Sequence, residues 1–151
     1  MTTFLERIVG DLGDKRRWRE HRAHVKALPA QYRTTVEALE RYLSHLGGVT
    51  LGDLPAGLPM PILEDLTGLF EQAAMNGTPP IAAVIGADPV EFAEVFLHHH
   101  TGVHRVSRAQ DPELSAIERE FHQEVERGLG KERKRLTAAV ERAEVEGRQA
   151  V

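Results

Sequence analysis

Apolar side chains in the first third of the chain recur every three or four residues, the spacing of one face of an α-helix. This pattern predicts a short helix over residues 5–12, which Gly10 and Gly13 limit because glycine disfavours helix by about 1 kcal/mol. Asp14 is expected to cap a second helix, which ends before Pro29 because a proline ring blocks helix continuation. One face of this second helix carries Trp18, His21, Val25 and Leu28.

A third helix is predicted to start at Pro29 and to stop at Gly47-Gly48, since proline suits the first turn and glycine the end. Its apolar face is the most regular in the chain. Residues 49–61 are rich in proline and glycine and predict a loop, followed by an apolar helix over 62–75 that ends at Asn76-Gly77. The face of the third helix comprises Tyr32, Val36, Leu39, Leu43 and Leu46.

The next segment contains two more helix signals. Residues 79–85 fit one helical turn closed by Gly86, and Asp88-Pro89 combines a polar cap with proline at the first helical position. The helix that Asp88 opens is expected to bury Phe92, Val95 and Phe96.

The last part of the chain predicts a long C-terminal helix that starts after Asp111-Pro112. Gly128, Gly130 and Arg133 interrupt its stripe, so we expect a weakened or bent helix there. Since no alternating strand pattern appears anywhere, the fold class is all-α. The apolar positions of the last segment are Leu114, Ile117, Phe121, Val125, Leu129, Leu136 and Val140.

Composition narrows the class of protein. The chain has 151 residues, 41% of them hydrophobic, and it contains no cysteine, which excludes disulfides, thiolate metal sites and cysteine nucleophiles. No apolar run is long enough to span a bilayer, and the N-terminus lacks the pattern of a secretory signal. We therefore expect a cytoplasmic protein without membrane contact.

The net charge of −4 hides an uneven distribution along the chain. Residues 1–34 contain eight Lys/Arg and four Asp/Glu, whereas residues 35–100 contain one arginine and nine acids. Residues 101–151 balance ten against ten. Such a polarised chain suits a charged partner or self-association, but the basic and acidic segments could equally pack beside each other within one molecule.

Several of these segments together resemble a bacterial family called domain of unknown function 1048, over about residues 4–100. The resemblance rests on Trp18 in a basic helix, Lys26-Ala27-Leu28-Pro29-Ala30-Gln31-Tyr32 at the helix junction, Ile62 to Leu66, and Gly86-Ala87-Asp88 through Phe92. The proline-rich residues 49–61 and the whole of residues 105–151 depart from the family pattern.

This resemblance implies a single small domain of short helices in a left-handed superhelix-like array. Genes of the family often neighbour transcriptional regulators of the PadR type, an association that assigns no mechanism. Because the motifs are structural, they imply no activity. We accordingly divide the chain into a helical domain over 1–104 and a C-terminal helical extension over 105–151.

A basic stripe is the clearest surface feature. At 100° per residue, four cations of the first basic helix fall within about 60° of one another, where they could bind phosphates or an acidic protein surface, or form an ordinary solvated face. Weak nucleic-acid binding stays a third hypothesis, because the whole chain is acidic and has no helix-turn-helix signature. The four residues are Lys15, Arg19, Arg22 and Lys26.

The spacing of two histidines is that of metal ligands, but we expect no metal site. His100 and His104 have the i, i+4 spacing of two metal ligands, within a group that also contains His98, His99 and His122. Gly102 separates the pair, and no third ligand is clearly placed. No glutamate precedes a histidine by three residues, so a di-iron bundle is excluded. We expect no metal, no cofactor and no catalytic residue.

The leading hypothesis is a non-enzymatic interaction or regulatory-accessory protein, a homo-oligomer or a partner of another protein. The C-terminal helix would dock through Leu114, Ile117, Phe121 and Val125, because an apolar helix face needs a covering surface. The second hypothesis is a small-molecule sensor with a pocket lined by Trp18, Tyr32 and Tyr42.

Overall fold

The computed structural model describes the backbone of residues 4–51, 58–102 and 115–149 and the side chains of 13–48, 58–102 and 115–149. These residues form helices and short connections, with no strand among them. The predicted all-α fold with a long C-terminal helix is confirmed, whereas the left-handed superhelical order stays a prediction. The helices are α1 (Phe4–Ala27), α2 (Ala30–Leu51), α3 (Met60–Met75), α4 (Ile81–Ile85), α5 (Pro89–Thr101) and α6 (Ala116–Gln149).

Two predicted helix ends are wrong. α1 runs without a break through Gly10, Gly13 and Asp14, so Asp14 caps no helix. α2 likewise continues through Gly47-Gly48 to Leu51. A glycine inside a helix costs about 1 kcal/mol, which a long helix tolerates when the turns on either side are stabilised by packing.

Four other predicted boundaries are confirmed. α3 begins at Met60, two residues before its predicted start, and the predicted helix start at Asp111-Pro112 lies outside the described residues. α1 ends just before Leu28-Pro29, α3 ends at Asn76-Gly77, and Gly86 closes the single turn of α4. Asp88 caps α5, because its Oδ1 accepts hydrogen bonds from the backbone N–H groups of Val90 at 3.0 Å and Glu91 at 3.3 Å.

α2 is the central helix of the core. Its predicted apolar face is completely buried, and α1, α3, α5 and α6 all pack against it. α6 lies antiparallel to α2, because Thr34 near the start of α2 contacts Glu146 while Arg41 contacts Glu132. The buried side chains of α2 are Tyr32, Thr35, Val36, Leu39, Tyr42, Leu43 and Leu46.

α5 faces the core with different residues from those predicted. Val95 is 60% exposed, which contradicts the prediction that it is buried. Ala93 and Leu97 are buried in its place, while Phe92 and Phe96 are half-buried and stack with ring centroids 5.6 Å apart. The core-facing direction of α5 is therefore rotated by about half a turn from Val95.

α6 is one uninterrupted helix that continues through Gly128 and Gly130, as predicted. The predicted weakening or bend at these glycines stays a prediction. A side chain at Gly128 would begin 4.0 Å from the His45 ring, which shows how closely α6 approaches α2 there. The buried residues of α6 pack along α2 and form part of the same core. The division into 1–104 and 105–151 stays a prediction. The core residues of α6 are Leu129, Leu136, Ala139, Val140 and Ala143.

Arg133 occupies the position where the apolar stripe of α6 should continue. Its guanidinium donates to Glu94 Oε1 on α5 at 3.1 Å and to the Tyr42 hydroxyl on α2 at 3.4 Å. This half-buried contact joins three helices through polar groups. The arginine thus belongs to the packing of α6 against α2 and α5 and not to a solvated face.

A second polar contact of α6, between Glu132 and Arg41 of α2, predicts that the stability of the folded protein depends on pH. Glu132 accepts hydrogen bonds from Arg41 at 3.2 Å and from Arg135 at 2.9 Å, and the bond from Arg41 is the main cause that lowers the Glu132 pKa. A carboxyl whose pKa is lowered by folding stabilises the folded state above its unfolded pKa of about 4.3 and loses that contribution as the pH falls.

The stability difference between wild type and Glu132→Gln should therefore be largest near neutral pH and shrink below about pH 4.3. Urea unfolding of both proteins across this range measures it. A difference that stays constant with pH would contradict the assignment of the lowered pKa to Glu132.

None of the described helices has both the length and the apolar character needed to cross a membrane.

Candidate functional site

The first half of α6 exposes large apolar side chains. Ile117 is 81% exposed and Phe121 is 64% exposed, one helical turn apart, and both belong to the predicted docking set. Glu120 and Glu124 are exposed and lie within about 60° of Ile117 around the helix. We call Ile117, Glu120, Phe121 and Glu124 the α6 face.

The remaining members of the predicted docking set behave differently. Val125 is half-buried, and Leu114 lies outside the described residues. Farther along the same stripe, Leu129 is completely buried in the core. The predicted stripe therefore changes its surroundings midway: its later positions cover the core of this chain, and its early positions remain uncovered by described residues.

The predicted basic residues form a second exposed surface. Lys15, Arg19, Arg22 and Lys26 are all exposed, and none forms an ion pair in the described part of the chain. Trp18 lies at the edge of this surface, 41% exposed, with the Arg22 guanidinium 6.0 Å from its ring centre. We call the four cations the α1 stripe.

Two other basic residues of α1 contact acidic side chains of α3. Arg17 pairs with Glu64, and His24 Nδ1 lies 3.0 Å from Glu71 Oε2, so both groups bind the acidic α3. The two predictions from the charge distribution, an external charged partner and packing against the acidic segment, therefore apply to different sides of α1. One side of α1 contacts the acidic segment, and the α1 stripe faces solvent.

A buried hydrogen bond between side chains joins α1 to α2. His21 is almost completely buried, and its Nε2 lies 2.7 Å from Glu40 Oε1. Burial raises the pKa of the Glu40 carboxyl, an effect that the hydrogen bond from His21 opposes. The sequence placed His21 on the core face of its helix, but it offered no sign of the partner nineteen residues away.

The described histidines do not form a metal centre. Both ring nitrogens of His100 are occupied: Nδ1 lies 2.9 Å from the Phe96 carbonyl and Nε2 lies 2.9 Å from Asp65 Oδ2. Among the residues that the structure describes, no cluster of three or more histidine and acidic side chains could hold a metal ion. His104 lies outside these residues, so the predicted pairing of His100 with His104 is not tested.

The three aromatic residues proposed as a pocket lie in different surroundings. Trp18 is on the surface of α1, whereas the buried Tyr32 donates its hydroxyl to the Pro79 carbonyl. Tyr42 is ten residues farther along α2, about 15 Å away at the usual helical rise, and its hydroxyl contacts Glu94 at 3.3 Å. Tyr32 and Tyr42 therefore pack in separate parts of the core.

Comparison with known proteins identifies a family but no function. The model of the family described as "Protein of unknown function (DUF1048)" matches residues 9–110, which is more than half of the chain. The match ends six residues before the start of α6. No curated protein and no solved structure matches the chain.

Proposed function

We propose an interaction role for this chain, which belongs to the DUF1048 family of proteins of unknown function. In this proposal it is a non-enzymatic cytoplasmic protein that binds a second copy of itself. The observation that carries the proposal is the exposure of Ile117 and Phe121 on adjacent turns of a helix whose second half buries one face in the core. Exposed apolar pairs of this kind mark interaction surfaces, because water penalises them until they are covered.

A second copy is favoured as the partner because the chain carries a complementary surface. The α6 face combines two apolar side chains with two carboxylates, one of which also pairs with Arg127. The α1 stripe combines the half-exposed ring of Trp18 with four cations that form no ion pair with described residues. Opposite charges steer the two surfaces together, and the apolar groups supply the contact that excludes water. The proposal is a two-fold dimer, in which the α6 face of each copy binds the α1 stripe of the other and no surface is left open for further copies.

The first experiment removes the apolar part of the α6 face. Ile117→Ser/Phe121→Ser is expected to convert a dimer into a monomer without unfolding the chain, since both side chains are exposed. Multi-angle light scattering measures the mass, and circular dichroism checks the helix content. The matched control is Met75→Ser on α3, an equally exposed apolar residue, which should remain dimeric.

Charge reversal distinguishes a specific pairing from nonspecific association. Glu120→Lys alone and Arg19→Glu alone should each weaken the dimer, and a mixture of the two variants should form mixed dimers more readily than either forms alone. Raising the salt concentration should weaken the wild-type dimer as well. A wild-type protein that is monomeric at every concentration and salt would overturn self-association as the proposed function.

A further inference from the structure

A cavity of about 500 Å³ lies where the end of α6 passes the connection between α3 and α4. Its position differs from that of the predicted pocket, because none of its lining residues is Trp18, Tyr32 or Tyr42. The two apolar walls consist of Pro79, Pro80, Ile81 and Ala82 on one side and Ala143 and Gly147 on the other.

The proline wall is held in place by contacts to the core. The completely buried Tyr32 donates its hydroxyl to the Pro79 carbonyl, and the backbone N–H of Thr78 donates to the Ala73 carbonyl at 3.0 Å. Thr78 adopts a left-handed conformation with φ of 53°, which costs a residue with a branched side chain about 1–3 kcal/mol. Such strain persists only where surrounding contacts impose it, so this wall is preformed.

The opposite wall closes against α2. A side chain at Gly147 would begin 3.4 Å from Gln31 Cγ, so the two helices are already in close approach at this end of the cavity. Gln31 also lines the space and offers a neutral amide. Glu144 and Arg148 contribute one negative and one positive side chain to the lining, and their opposite charges favour neither an anion nor a cation.

We propose that this cavity binds a small neutral molecule with a mainly apolar body of two or three rings and a single hydrogen-bonding group. The volume lies within the range of about 300–1,000 Å³ that is typical of small-molecule sites, and such sites combine apolar walls with a few polar groups. Because the walls belong to α6 and to the α3–α4 connection, the bound molecule stabilises the attachment of the end of α6. This binding site is independent of the self-association of the α6 face.

N-phenyl-1-naphthylamine is a suitable probe, since it is neutral, contains three aromatic rings in a compact body and carries one N–H group. Its fluorescence should rise saturably on addition of the full-length protein, with one molecule bound per chain. The probe should also raise the melting temperature, because a ligand that binds only the folded state stabilises it. Ile117→Ser/Phe121→Ser should bind the probe like wild type, which separates this proposal from the dimer.

Two neighbouring substitutions on α4 locate the binding site. Ala82→Trp places a large side chain in the cavity from an exposed position and should weaken probe binding at least tenfold. Ala83→Trp is the matched control, because Ala83 is also exposed but is not among the lining residues. Absence of saturable binding to wild type, or equal affinities of the two tryptophan variants, would overturn the proposal.

Discussion

Replacing Leu136 by alanine is expected to lower the free energy of unfolding by about 2–5 kcal/mol. Leu136 is buried near the start of the second half of α6, where the helix packs along α2. Removing its side chain leaves a cavity that the neighbouring helices can fill only in part. Urea titration with circular dichroism measures the change, provided that the slope of the transition is unchanged.

The control for this experiment is Ile117→Ala on the same helix. Its side chain is exposed, so the substitution should change the free energy of unfolding by less than about 0.5 kcal/mol. Both proteins are compared at a concentration where the wild type is monomeric. Equal small effects at Leu136 and Ile117 would mean that α6 is an appendage, as the division at residue 104 predicts, and that the core does not need it.

His21→Ala is expected to lower the free energy of unfolding by about 1–3 kcal/mol, the range for leaving a buried polar group without its hydrogen-bond partner. The substitution removes a buried ring and leaves the Glu40 carboxyl group without the hydrogen bond that offsets its burial. The loss should not exceed this range, because part of the Glu40 side chain still contacts solvent. Thermal and urea unfolding should both show the loss.

A second substitution tests whether the unpaired carboxyl group is the cause. In the double variant His21→Ala/Glu40→Met, no carboxylate remains at the site, so about half of the lost stability or more should return. His24→Ala on the same helix is the comparison, because its ion pair with Glu71 is exposed and worth less than about 1 kcal/mol. A double variant that is as unstable as the sum of its single substitutions would assign the loss to packing.

Local signals in the sequence predicted most of the described helices. Proline fixes its own φ and blocks a helix, so the junction at Pro29 and the start of α5 after Asp88 were predictable from single residues. Glycine is a weaker signal, because its cost of about 1 kcal/mol is easily exceeded by packing. Gly13 and Gly47 accordingly lie inside helices that the sequence predicted to end or begin beside them.

The partners of each helix face could not be predicted in the same way. The apolar stripe of α6 is visible in the sequence, but only the fold shows that Leu129 and Leu136 cover α2 while Ile117 remains exposed. His21 and Glu40 are both unremarkable in sequence and meet only because α1 and α2 pack together. The cavity is lined by three segments that are far apart in the sequence, and no local sequence pattern predicts that they come together.

Cross-linking between two copies tests the central claim most directly, and the absence of cysteine from the chain makes it unambiguous. Glu120→Cys protein is mixed with Arg19→Cys protein and treated with a short bismaleimide. If the α6 face binds the α1 stripe of a second copy, this mixture should give a covalent dimer of both variants. A mixture of Glu120→Cys with Val95→Cys, an exposed site on α5, should give little. Equal yields from the two mixtures, or none from either, would contradict the proposed docking of α6 on α1.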